Sequence, residues 1–166
     1  MWGNGGAVFA VGANGTILRY NDGIGWSAMT SNTTKDLKGV WGSDASDIFV
    51  VGEGAGPQKS DDHSTILHYD GSGWSPMTSE TTVTLTGVWG SSGSNVFAVG
   101  EHGTILHYSD SGWSAMTSGT IHALYGVWGS GSEVVTVGDS GTILRRDMTT
   151  TTSDFPWELF LPKKRN

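Results

Sequence analysis

Short apolar stretches alternate with glycine-rich polar turns along nearly the whole chain. Val96-Phe97-Ala98-Val99 is typical, since residues that favour strands stand together and are bounded by Gly, Asn, Asp and Ser. Outside the C-terminal stretch, the longest glycine-free run is 57–70, which contains a proline and a Ser-Asp-Asp cluster typical of a loop. The pattern therefore predicts an all-β protein without long helices.

One four-part unit recurs along the chain. Its parts are Leu-x-Gly-Val-Trp-Gly-Ser, an apolar stretch ending in Val-Gly, Thr-Ile-Leu followed by His or Arg, and Gly-Trp-Ser. The tryptophans of the first part are Trp41, Trp89 and Trp128, with Trp2 in a shortened copy, and those of the last part are Trp26, Trp74 and Trp113. The fourth unit lacks Gly-Trp-Ser, and the segment around Trp157 is the candidate to replace it.

Each unit predicts a four-stranded antiparallel sheet with strands a, b, c and d in chain order. The b strand is apolar at nearly every position, as expected of a strand covered on both faces. Radial stacking around an axis covers both faces of every sheet, so we predict a β-propeller with four blades in the chain. Gly39, Gly87 and Gly126 lie within the a strands and predict close backbone approach near that axis.

The repeats set the expected boundaries. The propeller region is 1–147, with repeats at about 1–36, 37–84, 85–123 and 124–161, and 148–166 form a divergent C-terminal strand and a basic tail. The first unit has only a stub of strand a, which leaves an unpaired edge. Either 157–161 fill a gap within one chain, or two chains pair into a larger ring, or the chain is part of a longer propeller. We expect the homodimer.

Composition narrows the function classes. The net charge of −7 argues against nucleic acid as a partner, and no apolar run approaches the roughly 18 residues that would insert into a membrane. The absence of cysteine excludes disulfides and zinc–thiolate sites, and no cofactor or metal motif is present. The start at Met1-Trp2-Gly3 predicts no signal peptide.

The b–c turn of the second unit carries an insertion. Twelve residues separate Gly52 from Thr65, whereas three separate Gly100 from Thr104. The insertion contains the candidate ligand-binding residues Asp61, Asp62 and His63. Because b–c turns and d–a connectors lie at the same end of a meander, we expect the ligand on that face. The alternative is a tolerated surface insertion.

Two further sets of residues are binding candidates. Trp26, Trp74 and Trp113 of the d strands offer flat rings for stacking on sugars, or they pack between blades. His68 and His107 occupy one repeat position, where the other units have Arg19 and Arg145. A position that accepts either His or Arg is better suited to hydrogen bonding than to metal ligation.

Catalytic patterns are missing from the sequence. The carboxylates are scattered through turns rather than paired, and no Gly-x-Ser-x-Gly nucleophile turn is present. We therefore expect a protein that is not an enzyme.

The repeat resembles a known group of propellers. The unit from Gly-Val-Trp-Gly-Ser to Gly-Trp-Ser-Ala-Met, over about 1–147, resembles tandem β-propeller repeats of bacterial secreted and surface proteins. It is more distantly similar to photosystem II assembly factor-type and Asp-box propellers, although the four-residue spacing from Asp22 to Trp26 and from Asp70 to Trp74 departs from the Asp-box pattern. A looser resemblance to bacterial propeller lectins implies sugar binding. The resemblance implies an extracytoplasmic or cell-surface location.

The sequence thus predicts a non-catalytic binding or scaffolding propeller whose ligand, a protein or a glycan, lies on the face of the b–c turns and d–a connectors. One alternative is a lectin that uses the d-strand tryptophans. The other is a structural piece of a larger surface protein.

Overall fold

The computed structural model describes residues 1–54, 63–149 and 157–160. Within them the chain forms sixteen β-strands and three short 3₁₀ turns, and no α-helix. Blade 1 contains β1 (Trp2–Asn4), β2 (Ala7–Val11), β3 (Ile17–Asn21) and β4 (Gly25–Met29); blade 2 contains β5 (Leu37–Asp44), β6 (Asp47–Gly52), β7 (Ile66–Tyr69) and β8 (Trp74–Pro76). Blade 3 contains β9 (Leu85–Ser92), β10 (Asn95–Gly100), β11 (Ile105–Ser109) and β12 (Gly112–Met116); blade 4 contains β13 (Leu124–Ser130), β14 (Glu133–Gly138), β15 (Ile143–Asp147) and β16 (Glu158–Leu159).

Every blade is an antiparallel meander in which each strand pairs with the next one along the chain. The predicted all-β architecture of four-stranded antiparallel sheets is confirmed. Blade 1 begins with the three-residue strand β1, in which Trp2 pairs with Phe9. In blade 4, Leu159 pairs with Leu144, so β16 supplies the strand that the repeat pattern lacks there.

The hydrophobic core lies between the blades. In β6, Ile48 and Val50 pack in a cluster shared with blade 1, whereas Val51 packs in a cluster shared with blade 3. All three side chains are fully buried. A third cluster joins blades 3 and 4. In β6 and β10, the alternation of side chains along a strand thus sends successive residues into two different cores, which explains why these b strands are apolar throughout.

Two glycine contacts set the spacing of neighbouring blades near their inner strands. A Cβ on Gly39 would lie 3.3 Å from the Cα of Gly87, and one on Gly87 would lie 3.6 Å from the Cα of Gly126. The predicted close backbone approach is therefore confirmed. In blades 2, 3 and 4, the glycine that follows the inner-strand tryptophan is covered by the tryptophan of the preceding blade: Trp2 on Gly42, Trp41 on Gly90, and Trp89 on Gly129.

Candidate functional site

The b–c turns of blades 1, 3 and 4 share one construction. In blade 1, the Thr16 amide donates to the Ala13 carbonyl across 3.1 Å, and Asn14 and Gly15 between them have φ values of 53° and 69°. Two successive positive φ values are the signature of a type I′ hairpin turn. Asn14, His102 and Ser140 occupy the first left-handed position of these turns, and all three are exposed. A constant glycine scaffold therefore displays a different side chain on each blade.

The d–a connectors pack beside these turns. In the connector from blade 1 to blade 2, the Ser31 hydroxyl donates to the Thr33 carbonyl, and the next connector but one repeats this bond with Ser118 and Thr120. The Gly15 amide donates to the Lys35 carbonyl across 2.9 Å, which ties the b–c turn to the connector. Turns and connectors thus form one continuous face of the molecule, here termed the groove face.

A cavity of about 900 Å³ lies on the groove face at blade 3. Its lining, here termed the blade 3 groove, includes buried Ile105 and Leu106 together with half-buried Trp113 and Met116. Ile121, which is 84% exposed, stands at the groove. Polar lining residues include Glu80, His102 and His122. The groove combines an apolar interior with a polar rim, a construction typical of ligand sites.

The same kind of groove recurs on the neighbouring blades. A cavity of about 390 Å³ on blade 2 is lined by Thr65, Ile66 and Leu67, which are the repeat equivalents of Thr104, Ile105 and Leu106. Another of about 390 Å³ on blade 4 is lined by residues that include Thr142, Leu144 and Trp157. The groove face therefore carries a row of sites, one for each of these three blades.

Carboxylates dominate the charge around the groove face. Glu80, Glu101 and Asp139 are exposed there, and each belongs to a turn or a connector. The Tyr125 hydroxyl donates to Asp139 across 3.0 Å. This hydrogen bond, together with slight desolvation and the charges of Asp139 and Glu101, raises the pKa of Tyr125. The local field therefore favours cationic ligand groups.

The insertion in blade 2 is partly described. His63 is exposed and lines the blade 2 groove, and its carbonyl accepts a hydrogen bond from the Lys35 ammonium across 3.2 Å. The Ser64 hydroxyl donates to the carbonyls of Thr81 and Val83, so the insertion rejoins the blade at the next connector. Asp61 and Asp62 lie outside the described residues.

The two strand-c histidines bond within their own blades. Nε2 of His68 lies 2.6 Å from Oδ1 of Asp47, and Nε2 of His107 lies 2.7 Å from Oδ1 of Asn95. The His107 ring stacks on Phe97, whereas the His68 ring is tilted against Phe49, with centroid separations of 4.6 Å in both cases. Burial, assisted by the positive charge of Arg146, lowers the pKa of His107. Neither histidine lines a described groove.

The d-strand tryptophans have unequal surroundings. Trp74 is 8% exposed and packs against Phe9 of blade 1 and Tyr69, with centroid separations of 6.4 and 5.2 Å. Trp113 packs against Phe49 of blade 2 at 6.3 Å and also lines the blade 3 groove. Trp26, in blade 1, is 50% exposed. These three residues are therefore not gathered into one site, and Trp113 is the one that meets the blade 3 groove.

The sequence predicted that b–c turns and d–a connectors share one face, but it did not single out the residues that line the blade 3 groove. Glu80, Met116, Ile121 and His122 were not among the candidates. Variation within the connectors could have indicated the groove residues, since Ile121 replaces the threonine found at positions 34 and 82.

Residues 1–54, 63–149 and 157–160 contain no group of three or more His, Asp or Glu side chains arranged to hold a metal ion. The same residues form no helix long and apolar enough to cross a membrane.

Comparisons with known proteins identify the fold. No family model matches the sequence, and no curated protein matches it. Among solved structures, the chain is similar to the propeller in the structure described as "YCF48 bound to D1 peptide", with a TM-score of 0.65 and 20% sequence identity. The match covers 96% of this chain and 51% of that one, so this chain spans about half the length of its structural neighbour. The four blades described here therefore have the β-propeller fold.

Proposed function

We propose that this chain is a non-catalytic β-propeller module that binds an extended peptide segment of a partner protein along the groove face. The observation that carries the proposal is the row of equivalent grooves on blades 2, 3 and 4, each at the same place in its repeat. A row of similar depressions suits a ligand that is itself a linear repeat of similar units. A polypeptide is such a ligand, and the structural neighbour is described as bound to a peptide.

The blade 3 groove indicates what the peptide must offer. Ile105, Leu106 and Met116 provide an apolar interior for one hydrophobic side chain of the ligand. Glu80 at the groove and Glu101 in the adjoining turn favour Lys or Arg beside that side chain. Exposed Ile121 extends the apolar surface, so it is the residue whose loss should weaken binding most.

The same lining supports a binding role rather than hydrolysis. Glu80 is the one carboxylate among the described residues that line the blade 3 groove. Glycoside hydrolysis uses two carboxylates across the scissile bond. The histidines in the lining are His102 and His122, which are exposed turn and connector residues.

The test uses peptides selected from a random-peptide phage library on the immobilised chain, then measured by fluorescence anisotropy. Ile121→Asp should weaken binding by at least about tenfold, which corresponds to about 1.4 kcal/mol. The matched control is Ile24→Asp, because Ile24 is 80% exposed and lies in the turn between β3 and β4 at the opposite end of its blade. Equal effects of the two substitutions, or none from Ile121→Asp, would exclude the groove face.

Sugar binding by the d-strand tryptophans is the second candidate. Trp26 favours sugar binding, since this residue is 50% exposed and its ring lies 5.5 Å from the ring of Tyr20. The two rings together form an open aromatic surface. A glycan array separates the two functions. Binding of a glycan that Trp26→Ala abolishes, with no peptide recovered from the library, would favour the lectin over the peptide-binding module.

A further inference from the structure

The contacts between neighbouring blades follow one rule at all three junctions. The inner-strand tryptophan of each blade covers a glycine in the next blade, as Trp41 covers Gly90. In the reverse direction, the strand-d tryptophan of each blade packs edge-on against a b-strand phenylalanine of the preceding blade. The pairs are Trp74 with Phe9, Trp113 with Phe49, and Trp157 with Phe97. At every junction, the earlier blade therefore contributes an inner-strand tryptophan and a b-strand phenylalanine. The later blade contributes a glycine and a strand-d tryptophan.

Blade 4 exposes the surface that the earlier blade contributes to a junction. Trp128 is the repeat equivalent of Trp41 and Trp89, which are half-buried, yet it is 63% exposed. Val137 is 46% exposed, although its equivalents Val51 and Val99 are fully buried. Apolar surface that three other blades cover with a neighbour is thus open here.

Blade 1 exposes the surface that the later blade contributes to a junction. Gly3 is exposed, whereas its equivalents Gly42, Gly90 and Gly129 are buried under tryptophan rings. Trp26 is 50% exposed, although Trp74 at the same repeat position is 8% exposed. The open face of blade 1 therefore has the glycine surface that an inner-strand tryptophan would cover. It also has a strand-d tryptophan whose ring contact among the described residues is with Tyr20 of its own blade rather than with a phenylalanine.

We propose that the open face of blade 4 binds the open face of blade 1 in a second copy of this chain, with Trp128 of one copy covering Gly3 of the other. The junction would repeat the contacts seen three times within the chain. Two such junctions close a ring from two chains, and no blade face is then left open.

One residue at the proposed junction departs from the rule. Blade 4 has Val135 where the other blades have phenylalanine, at the position that would receive Trp26 of the second copy. The valine is smaller, so this part of the junction buries less apolar surface than the internal ones. Val135→Phe should therefore tighten the association, and about a tenfold lower dissociation constant is expected.

The first measurement is the mass of the purified chain by light scattering over a range of concentrations. The proposal expects twice the 17.5 kDa of one chain. Trp128→Ala should raise the dissociation constant of the dimer about a hundredfold or more, since each dimer loses two central aromatic contacts. The control Ile121→Ala removes an exposed apolar side chain from the connector between blades 3 and 4, at an internal junction, and should leave the mass unchanged.

A mixing experiment tests the pairing of the two faces. Gly3→Arg should block the glycine surface and, like Trp128→Ala, give monomers, with circular dichroism used to check that both variants remain folded. A mixture of the two variants can still form one intact junction, between Trp128 of the Gly3→Arg chain and Gly3 of the Trp128→Ala chain. The mixture should therefore dimerise at concentrations where each variant alone is monomeric.

Three outcomes would overturn the proposal. The first is a wild-type chain that stays monomeric at high concentration, which would indicate that blades of another chain segment or another protein cover these faces. The second is a series of masses beyond the dimer, because the head-to-tail contact would then not close at two copies. The third is a mixture of folded variants that gains no dimer. The groove-face proposal would survive all three, since it concerns a different surface.

Discussion

The surfaces between the blades and the groove face use the repeat in opposite ways. Between blades, Phe9, Phe49 and Phe97 recur at one position, and each receives the strand-d tryptophan of the following blade. On the groove face, the first left-handed position of the b–c turns holds Asn14, then His102, then Ser140. The repeat keeps side chains constant where they are buried and varies them where they reach solvent.

This difference separates stability from recognition along the same strands. A residue repeated at every junction is kept constant by packing, because a change of even one methylene group in a densely packed interior affects stability. A turn tip is free to vary as long as the glycine next to it keeps the turn. Substitutions at the junctions should therefore affect unfolding, and substitutions at the tips should affect binding.

The largest effect is expected from Phe49→Ala. The Phe49 side chain is 1% exposed, and its ring lies 4.6 Å from that of His68, 5.4 Å from that of Tyr108 and 6.3 Å from that of Trp113. Its loss leaves a cavity between blades 2 and 3, so the free energy of unfolding should fall by about 3–5 kcal/mol in urea titration. Val135→Ala, at the equivalent position of blade 4, should cost about 1 kcal/mol. Similar losses in the free energy of unfolding for the two variants would contradict the conclusion that Phe49 stabilises the junction between blades 2 and 3.

Gly103→Ala and Gly141→Ala form a matched pair with the next largest effect. Both glycines have φ near +70°, so alanine at either position costs about 1–2 kcal/mol of backbone strain. A Cβ on Gly103 would also overlap the Thr120 carbonyl of the connector, whereas a Cβ on Gly141 meets nothing within 4 Å. Gly103→Ala should therefore lose about 1–3 kcal/mol more in thermal or urea unfolding. Equal losses would show that the connector does not pack firmly against the turn.

The junctions could be predicted from the sequence because the residues on both sides of each contact recur with the repeat. Gly39, Gly87 and Gly126 indicated close approach, and glycine neighbours glycine at those inner strands. The exposure of Trp128 could not be predicted, since its local sequence matches that around Trp41 and Trp89. Whether a side chain is covered depends on the presence of a following blade, which a local pattern does not encode.

The sequence predicted that turns and connectors share one face, but it did not predict the position of the blade 3 groove on that face. The insertion of blade 2 was the most visible departure from the repeat, whereas the larger cavity lies on blade 3, which has none. Ile121 differs from its equivalents by a single substitution in a connector. The depth of a cavity depends on how turns, connectors and strands pack together. The sequence shows only which residues of the turns and connectors vary between the repeats.

Replacing the tip residues by glycine should have a small effect on stability. His102 and Ser140 both have φ of 55°, a conformation that glycine adopts at less cost. Part of this gain is offset by the larger conformational freedom of glycine in the unfolded chain. His102→Gly and Ser140→Gly should therefore stabilise the fold by about 0–1 kcal/mol, measured by urea titration. A loss above about 1 kcal/mol would show that the tip side chains stabilise the fold rather than serve recognition.

His107 should give the smallest effect, as a pH dependence of stability. Burial lowers its pKa from 6.5, with a further contribution from Arg146. The unfolded chain therefore binds a proton at this residue near pH 6.5, while the folded chain binds it only at lower pH. Between these two pKa values the unfolded state holds more protons, so the free energy of unfolding falls as the pH decreases through that range.

His107→Gln removes this titration while keeping a side chain that can bond to Asn95, whose Oδ1 lies 2.7 Å from Nε2 of His107. Thermal unfolding of both proteins between pH 7.5 and 5 should show a decline of Tm with acidification that is shallower in the variant. Because the histidine is stacked on Phe97 between blades 3 and 4, its protonation acts on a junction rather than on a groove. At any one pH at which both proteins are folded, peptide affinity should therefore be the same for the variant and the original chain. An identical decline of Tm in both proteins would assign the pH dependence to other groups.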